Sequence, residues 1–383
     1  MKILFDIVNT QFQYSGGAEY IRRVLYSCLE QCEQRNDVTF CCAYDSSIGN
    51  FAYDDLTPDS LKNRGIETID IHSVSLSEVI KHNHIDRVFI GVAQLWGARY
   101  DVENIDCEVI CVIHDLCDQE FERSQLGTYM QLGNLKYMTR YVINQYLGRD
   151  KTNHRMDGII ELIKNNNNVR VVTVSNYSKA SIEYNYEIED TRISVCYSPE
   201  RIINSTESIE NTALKELIEG NCKYYLMTNA HRIAKNAEKM ITAFKKYALL
   251  DKEAVIVTTG MKESLFDKHI SLPFLSESDL ANAYKNCYAF LYPTYFEGFG
   301  YPPMEAMKYG RPVLSSNTSS MPEILGNAPL YFSPMYETDM YRCLCSLNAD
   351  EYEKRVHLSS QRYKEISKKQ ELDLIAVTKL IVE

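Results

Sequence analysis

Two series of short apolar runs, each alternating with longer amphipathic or polar stretches, constrain this chain more than anything else in it. The first series opens at Lys2-Ile3-Leu4-Phe5-Asp6-Ile7-Val8, an apolar run ending in polar residues, the pattern of a strand buried on both faces of a parallel sheet. A loop with Gly16-Gly17 follows, then a helical pattern from Ala18 to Glu33 with Ile21, Leu25, Cys28 and Leu29 on one face. Strand-like runs recur at Val38–Tyr44, Arg87–Gly91, Glu108–His114, Arg170–Ser175 and Ile193–Ser198. The second series begins at Tyr224–Thr228 and continues through a helix at Ala237–Leu250, a strand at Ala254–Thr259, a helix at Glu277–Asn286 and a strand at Tyr288–Pro293. Short strands at Pro312–Ser315 and Leu330–Ser333 extend it. Alternation of this kind requires crossover connections, so the expected fold class is α/β with two mainly parallel-sheet domains.

The expected domains are 1–200, a linker at 201–222 rich in Asn, Ser, Thr and Glu, a second domain at 223–348, and a helical tail at 349–383 rich in Lys, Glu and Leu. Asn165 to Asn168 is expected to be a loop, and no internal repeat is visible. A chain of 383 residues with 45% hydrophobic content supports two ordinary cores.

Charge excludes one class of partner. The chain carries 41 Lys and Arg against 52 Asp and Glu, and residues 1–200 hold 19 against 29, so the excess is N-terminal. A nucleic-acid binder needs a basic footprint, so none is expected. The 12 cysteines include no CxxC pair, and most sit in apolar runs such as Cys107 to Cys111, where a thiol packs as a small hydrophobe. They are expected to be reduced, as in a cytoplasmic protein. Met1-Lys2 leads straight into a strand pattern with no signal-peptide core, and no run reaches about 18 apolar residues. The expected localisation is cytoplasmic, with at most peripheral contact at the inner face of the membrane.

The segment that carries chemistry is Tyr292-Pro293-Thr294-Tyr295-Phe296-Glu297-Gly298-Phe299-Gly300-Tyr301-Pro302-Pro303-Met304-Glu305-Ala306-Met307-Lys308-Tyr309-Gly310-Arg311-Pro312. A strand ends at Pro293, a loop with two glycines follows, and a helix starts around Pro302 or Pro303, where proline loses only an N–H that would be unpaired anyway. Gly310 suits the helix C-terminus. A strand, glycine loop and helix in this order make an anion site, with backbone N–H groups and the positive end of the helix dipole aimed at a diphosphate. Gly298 and Gly300 permit close backbone approach. Glu297 stands in the loop and Glu305 in the first helical turn, and carboxylates accept from paired sugar hydroxyls. A glutamate at a helix start is also stabilised by the dipole without any ligand, and that reading stays open for Glu305.

The segment resembles the E-x7-E signature of glycosyltransferase family 4, the large retaining family with the GT-B fold. Here the signature reads Glu297-x7-Glu305, followed by Pro312-Val313-Leu314-Ser315-Ser316-Asn317 and Met321-Pro322-Glu323-Ile324. The resemblance implies two Rossmann-like domains facing a central cleft, with the C-terminal helical tail returning toward the N-terminal domain. It implies that Glu305 holds the ribose hydroxyls of a nucleotide and Glu297 a hydroxyl of the transferred sugar. Backbone N–H groups at Gly298, Phe299 and Gly300 would hold the sugar and diphosphate.

Further matches extend the resemblance over nearly the whole chain, most thinly from Ser46 to Val88. Leu226-Met227-Thr228-Asn229-Ala230-His231-Arg232-Ile233-Ala234-Lys235-Asn236 is similar to the family's basic loop, which assigns neutralisation of the diphosphate to Lys235 and Arg232. Asn229 stands where glycine is usual and Ala230 where arginine is frequent, which leaves the register of Arg232 open. Ile270 to Leu280, with Phe274, resembles the nucleobase loop. Val112-Ile113-His114-Asp115-Leu116 is similar to the family's His-Asp, which places His114 against the donor sugar and has Asp115 orient a backbone or support His114. A hydrogen-bonded histidine capping a strand is the alternative. Gly16 and Gly17 match the glycine loop beside the phosphates and acceptor, with Ser15 and Glu19 as weaker candidates, and Val174-Ser175-Asn176-Tyr177-Ser178 matches a structural landmark.

The implied activity is retaining transfer of a hexose or deoxyhexose from a nucleotide-diphospho-sugar to a hydroxyl of a glycan or lipid-linked glycan, as in surface polysaccharide synthesis. No Asp-x-Asp motif occurs, so no metal and no cofactor beyond the donor itself are expected. The pattern is most similar to bacterial mannosyl- and rhamnosyltransferases, which favours GDP-mannose over a UDP- or dTDP-sugar. The alternatives are a nucleotide-sugar epimerase or hydrolase of the same fold, and a non-catalytic nucleotide-sugar binding subunit.

Overall fold

A computed structural model describes residues 1–12, 14–95, 105–117, 120, 139, 154–203 and 208–383. The chain divides into two compact units, Met1–Arg201 with Gln370–Glu383, and Ile202–Lys369.

In the first unit the strands are β1 (Lys2–Asp6), β2 (Thr39–Tyr44), β3 (Glu67–Asp70), β4 (Arg87–Ile90), β5 (Glu108–Ile113), β6 (Val169–Thr173) and β7 (Ile193–Val195). They pair in parallel in the order β3-β2-β1-β4-β5-β6-β7. The crossovers include α1 (Gly16–Gln31), α2 (Pro58–Asn63), α3 (Leu76–Asn83), α4 (His154–Asn165) and α5 (Asn176–Tyr186). Ile3, Leu4 and Phe5 of β1 are fully buried, as are Val109 to Ile113 of β5, because helices cover both faces of the sheet. Each helix start is set locally. Ser15 caps α1 by accepting from the Ala18 N–H, and Ser75 with Glu78 forms a capping box on α3.

The second unit repeats the scheme with β8 (Tyr224–Met227), β9 (Val255–Thr259), β10 (His269–Leu272), β11 (Ala289–Tyr292), β12 (Val313–Ser316) and β13 (Leu330–Phe332). All pairs are parallel, in the order β10-β9-β8-β11-β12-β13. Its helices are α6 (Thr212–Glu219), α7 (Ala237–Tyr247), α8 (Glu277–Asn286), α9 (Tyr301–Lys308), α10 (Met321–Leu325), α11 (Glu337–Ser346) and the first part of α12 (Ala349–Val382), whose residues from Gln370 onward belong to the first unit. In both sheets the strand order reverses direction once, between β1 and β4 and between β8 and β11. Ligands of doubly wound sheets bind outside the carboxyl ends of the strands at such switch points.

Three sequence expectations need correction. The stretch 201–222 is not a simple linker: residues 204–207 lie outside the described residues, and 212–219 form α6. That helix is capped by Asn211, buries Leu214 and Leu217, and is tied down by the Glu210 and Asn211 N–H groups donating to Asp279 at 2.9 and 3.0 Å. Two strands went unseen, β3 and β10. Both are four-residue edge strands in which polar residues break the apolar pattern, Glu67, Thr68 and Asp70 in β3 and His269 and Ser271 in β10, so neither makes an apolar run. The segment taken as the nucleobase loop therefore begins as β10 and ends as α8, leaving only Pro273 to Ser276 as loop.

The long helix α12 is anchored by arginines that satisfy backbone carbonyls. Within the second unit, Arg355 donates to the carbonyls of Asn327, Ala328 and Pro329, and Arg362 to those of Glu323 and Ile324 at the end of α10. In the first unit, Arg87 donates to the carbonyls of Leu380 and Ile381, and Arg35 to that of Val382. These are the orphan acceptors of the last turn, and cations there also favour the negative end of the helix dipole.

Candidate active site

The switch point of the second unit is built from the loops that leave β8 and β11. After β8 the backbone turns at Asn229 and again at Asn236, both with positive φ (55° and 54°). Asparagine is the residue after glycine that best tolerates this conformation, which accounts for Asn229 where glycine is usual. The two turns bracket a short 3₁₀ segment, Ile233–Lys235, which carries Lys235 inward to 5% exposure. The Asn236 side chain fastens the second turn by donating to the Pro334 carbonyl at 2.9 Å.

After β11 the chain turns through Pro293 to Gly300. Thr294 is fully buried and its hydroxyl lies 3.0 Å from Glu297 Oε1. The Glu297 N–H donates to Ser319 Oγ (3.0 Å), and Ser320 Oγ donates to the Glu297 carbonyl (2.9 Å). Three polar contacts thus fix this glutamate by backbone and side chain. Its Oε1 also accepts from Lys235 Nζ, and the same ammonium donates to the Tyr292 hydroxyl at 2.7 Å with the Tyr292 ring centroid 4.6 Å away. Burial alone would raise the Glu297 carboxyl. The Lys235 ammonium, its hydrogen bond and the nearby Arg232 outweigh that and hold it below the ordinary value. Arg232 itself is exposed, with no side-chain hydrogen bond or ion pair among the described residues. The site therefore contains one cation already engaged by protein and one presented to solvent.

Gly300 enters α9 at φ 91°, a backbone conformation that demands glycine, and a Cβ there would in addition push aside the tip of Met321. Helix α9 starts at Tyr301, one or two residues earlier than expected. Pro302 and Pro303 then occupy its first turn, so two of the usual N–H donors of a helix terminus are missing. An anion here must be held by the loop amides from Gly298 to Tyr301 rather than by a full helical crown. Glu305 is the fifth residue of α9, beyond the first turn, and is buried to 7% exposure. Placement past the first turn weakens the dipole explanation of this carboxylate. The helix closes in a Schellman motif, with Gly310 (φ 67°) donating to the Met307 carbonyl and Arg311 to that of Ala306.

Beside these loops stands a small aromatic shelf. Phe274, 66% exposed, meets His231 edge-on with centroids 5.1 Å apart. Gly260 (φ 82°) leaves room beneath them, since a Cβ would approach His231 Nδ1 to 3.0 Å and Phe274 Cε1 to 3.1 Å. Burial, then the cations of Arg232 and Lys235, push the His231 imidazole down.

In the first unit His114 follows β5 and lies 2.8 Å by Nε2 from the Gly91 carbonyl, to which it donates, with the buried Tyr20 ring edge-on at 5.0 Å. Burial lowers its imidazole to about 4, so it is neutral at pH 7. Asp115 accepts from the Cys117 N–H at 3.0 Å and so orients backbone. A Cβ on Gly17 would lie 2.7 Å from Val92 Cγ2, so this glycine is required for packing of α1 against the end of β4. Ser15 caps α1, and Ser175 caps α5. The structure thus gathers Lys235, Arg232, Glu297 and the glycine loop at one switch point, and His114 and Gly17 around the end of β4. Tyr292, Thr294, Ser319 and Ser320 were not singled out from sequence, where nothing distinguishes them from ordinary strand and loop residues.

Comparison with known proteins fits this geometry. Residues 208–364 match the family model described as glycosyl transferases group 1. The matched residues lie within the second unit. An O-antigen chain mannosyltransferase, RfbU of Salmonella typhimurium, is 30% identical over 176 residues, 43% of this chain and 46% of the relative. The match thus spans under half the length of that curated relative. A glycosyltransferase from Rickettsia africae shares the fold at 16% identity and TM-score 0.62, covering 100% of this chain and 98% of that one. HepE from Anabaena, solved in complex with UDP-glucose, shares it at 15% identity and TM-score 0.62, with coverage of 100% and 98%. Each unit has a Rossmann-like parallel sheet and the chain ends in a long helix, the elements of the GT-B fold. Among the described residues no helix is long and apolar enough to cross a membrane.

Proposed function

We propose that this chain is a metal-independent retaining glycosyltransferase that moves a hexose or deoxyhexose from a nucleotide-diphospho-sugar to a hydroxyl of a glycan or lipid-linked glycan. The observation that carries the reading is the pairing of Lys235 with Glu297 at the switch point, beside exposed Arg232 and the Gly298–Gly300 loop. A departing diphosphate needs positive charge and amide donors, which Arg232, Lys235 and the loop supply without a metal ion. The transferred sugar needs a rigid acceptor for a hydroxyl, and Glu297 is one. In this mechanism the anomeric C–O bond to phosphate breaks, and the acceptor hydroxyl oxygen bonds to that carbon from the same face. Its proton passes to a donor phosphate oxygen. Glu297 is then a binder and Glu305 the ribose ligand. Kinship with an O-antigen mannosyltransferase supports GDP-mannose as donor and surface polysaccharide synthesis in the cytoplasm as the setting.

The test incubates the protein with GDP-mannose, UDP-glucose or dTDP-rhamnose, each with and without added oligosaccharide and with and without chelator. Nucleotide release that depends on glycan, survives chelator and yields a product of unchanged anomeric configuration supports the proposal. Release without glycan assigns a hydrolase, conversion of the donor to an isomeric nucleotide-sugar assigns an epimerase, and donor binding with neither assigns a binding subunit.

A further inference from the structure

Three consecutive hydroxyl residues, Thr318, Ser319 and Ser320, form the turn between β12 and α10, and each is bonded to the backbone of the loop after β11. Thr318 Oγ1 donates to the Thr294 carbonyl at 3.2 Å, the Glu297 N–H donates to Ser319 Oγ at 3.0 Å, and Ser320 Oγ donates to the Glu297 carbonyl at 2.9 Å. The turn itself is anchored, since the Asn317 N–H donates to the Phe332 carbonyl at 3.0 Å and the Met321 N–H to the Thr318 carbonyl at 3.2 Å. Ser320 is fully buried. Glu297 is followed by Gly298 and Gly300, and a backbone with that much freedom places a carboxylate accurately only when it is held from outside.

The middle hydroxyl is held in a strained conformation. Ser319 has φ 50°, in the left-handed region where Cβ crowds the following carbonyl. Among the described residues other than glycine, positive φ occurs also at His84, Glu187, Asn221, Asn229 and Asn236. The three asparagines are the residue type that tolerates it best, and His84 and Glu187 close helices α3 and α5, where a left-handed residue ends the helix. Neither reason applies to Ser319, which is no asparagine and stands ahead of α10 rather than after a helix. Its hydroxyl, however, meets the Glu297 N–H from this conformation. Strain of this kind persists where the surroundings over-determine it, and it collects at functional sites.

We infer that Ser319 is a positioning residue for Glu297, its left-handed turn bringing Oγ to the Glu297 N–H and so fixing the carboxylate where the transferred sugar is held. The consequence for a sugar rests on the transferase reading, and the hold on Glu297 does not.

The test compares wild type with S319A, S319G and S319T in three measurements. The first is thermal unfolding. S319G loses a hydrogen bond but also sheds strain, so its Tm is expected within about 2 °C of wild type. S319A keeps the strain without the bond, and S319T adds β-branching at positive φ, so each is expected to lower Tm by about 2–4 °C. The second measurement is amide hydrogen exchange at Glu297, read by NMR. It is expected to be about fivefold or more faster in S319A and S319G and near the wild-type rate in S319T, which keeps the hydroxyl. The third is affinity, by titration calorimetry, for GDP-mannose, UDP-glucose and dTDP-rhamnose and for GDP, UDP and dTDP. In S319A and S319G the preference for the best-bound nucleotide-sugar over its own diphosphate is expected to fall by about fivefold or more, with diphosphate affinity within about twofold, while S319T keeps the preference.

A merely structural role would make the preference follow Tm, grouping S319T with S319A and S319G with wild type. That grouping, an unchanged preference in both S319A and S319G, or unchanged exchange at Glu297 in both, overturns the inference. A wild type that prefers no nucleotide-sugar over its diphosphate overturns the transferase reading instead, and the exchange rates then decide alone whether Ser319 holds Glu297.

Discussion

Removing Lys235 should expose how much of the second unit depends on one buried charge pair. In Lys235→Met the apolar stem is kept and the ammonium is lost, leaving Glu297, with only 18% of its side chain exposed, next to the Tyr292 hydroxyl and Thr294 without a cation bonded to it. Breaking a buried pair from one side costs about 3–5 kcal/mol, and partial exposure of Glu297 places this case near about 3. For a unit of this size that is roughly 6–12 °C in Tm. Glu297→Gln should cost less, about 1–2 kcal/mol, because the amide oxygen still accepts from Lys235 and Thr294. The double variant K235M/E297Q should recover at least about 1.5 kcal/mol relative to the sum of the single variants.

The assay is calorimetry or urea unfolding followed by circular dichroism, since the single tryptophan, Trp96, lies outside the second unit. The pH dependence carries a sign of its own. In the wild type the Glu297 carboxyl is held below its usual range, so its contribution is present above about 4.5 and is lost as pH falls through the lowered folded value. In K235M burial is left to act without that ammonium and raises the carboxyl, so protonation relieves the variant and its deficit should narrow as pH falls from 7. A deficit under about 1 kcal/mol at pH 7, or strictly additive variants, would refute the account of this pair.

Three further outcomes follow from the geometry. Gly300→Ala should destabilise the second unit by about 1–2 kcal/mol, measured by Tm, because an L residue is strained at φ 91° while the Met321 tip can shift; an unchanged Tm would refute that reading. Arg232→Ala should leave stability within about 0.5 kcal/mol, since the side chain is exposed and makes no side-chain hydrogen bond or ion pair among the described residues, yet weaken nucleotide-diphosphate binding by about tenfold in a salt-dependent way; equal affinity by titration calorimetry would remove Arg232 from the site. His114 is lowered to about 4 by burial, so the folded protein should lose stability as pH falls from about 6.5 toward 4, where only the unfolded chain takes the proton; His114→Phe should flatten that slope in unfolding curves measured across this window.

Much of the architecture was legible along the chain because local pattern reports local burial. The fully buried strands β1, β5, β8 and β11 announced themselves as apolar runs, and each was placed to within one or two residues. Proline and Gly310 marked the two ends of α9 for the same reason, since their backbone limits act at their own positions. Edge strands β3 and β10 stayed hidden because their polar residues, among them buried His269, interrupt any apolar run, and α6 because a polar stretch resembles a linker until Leu214 and Leu217 are seen to be buried.

The charge pair at the site lay beyond any local pattern. Lys235 and Glu297 are 62 positions apart, and their contact exists because β8 and β11 are neighbours in the sheet although two strands intervene between them in the chain. That adjacency is a property of how right-handed crossovers stack a whole sheet, not of any segment in it. Residue types and helix caps therefore stated which chemistry the chain carries. Which cation is engaged, which stands open to solvent, and why Gly17 answers to Val92 were decided only when the strands came together.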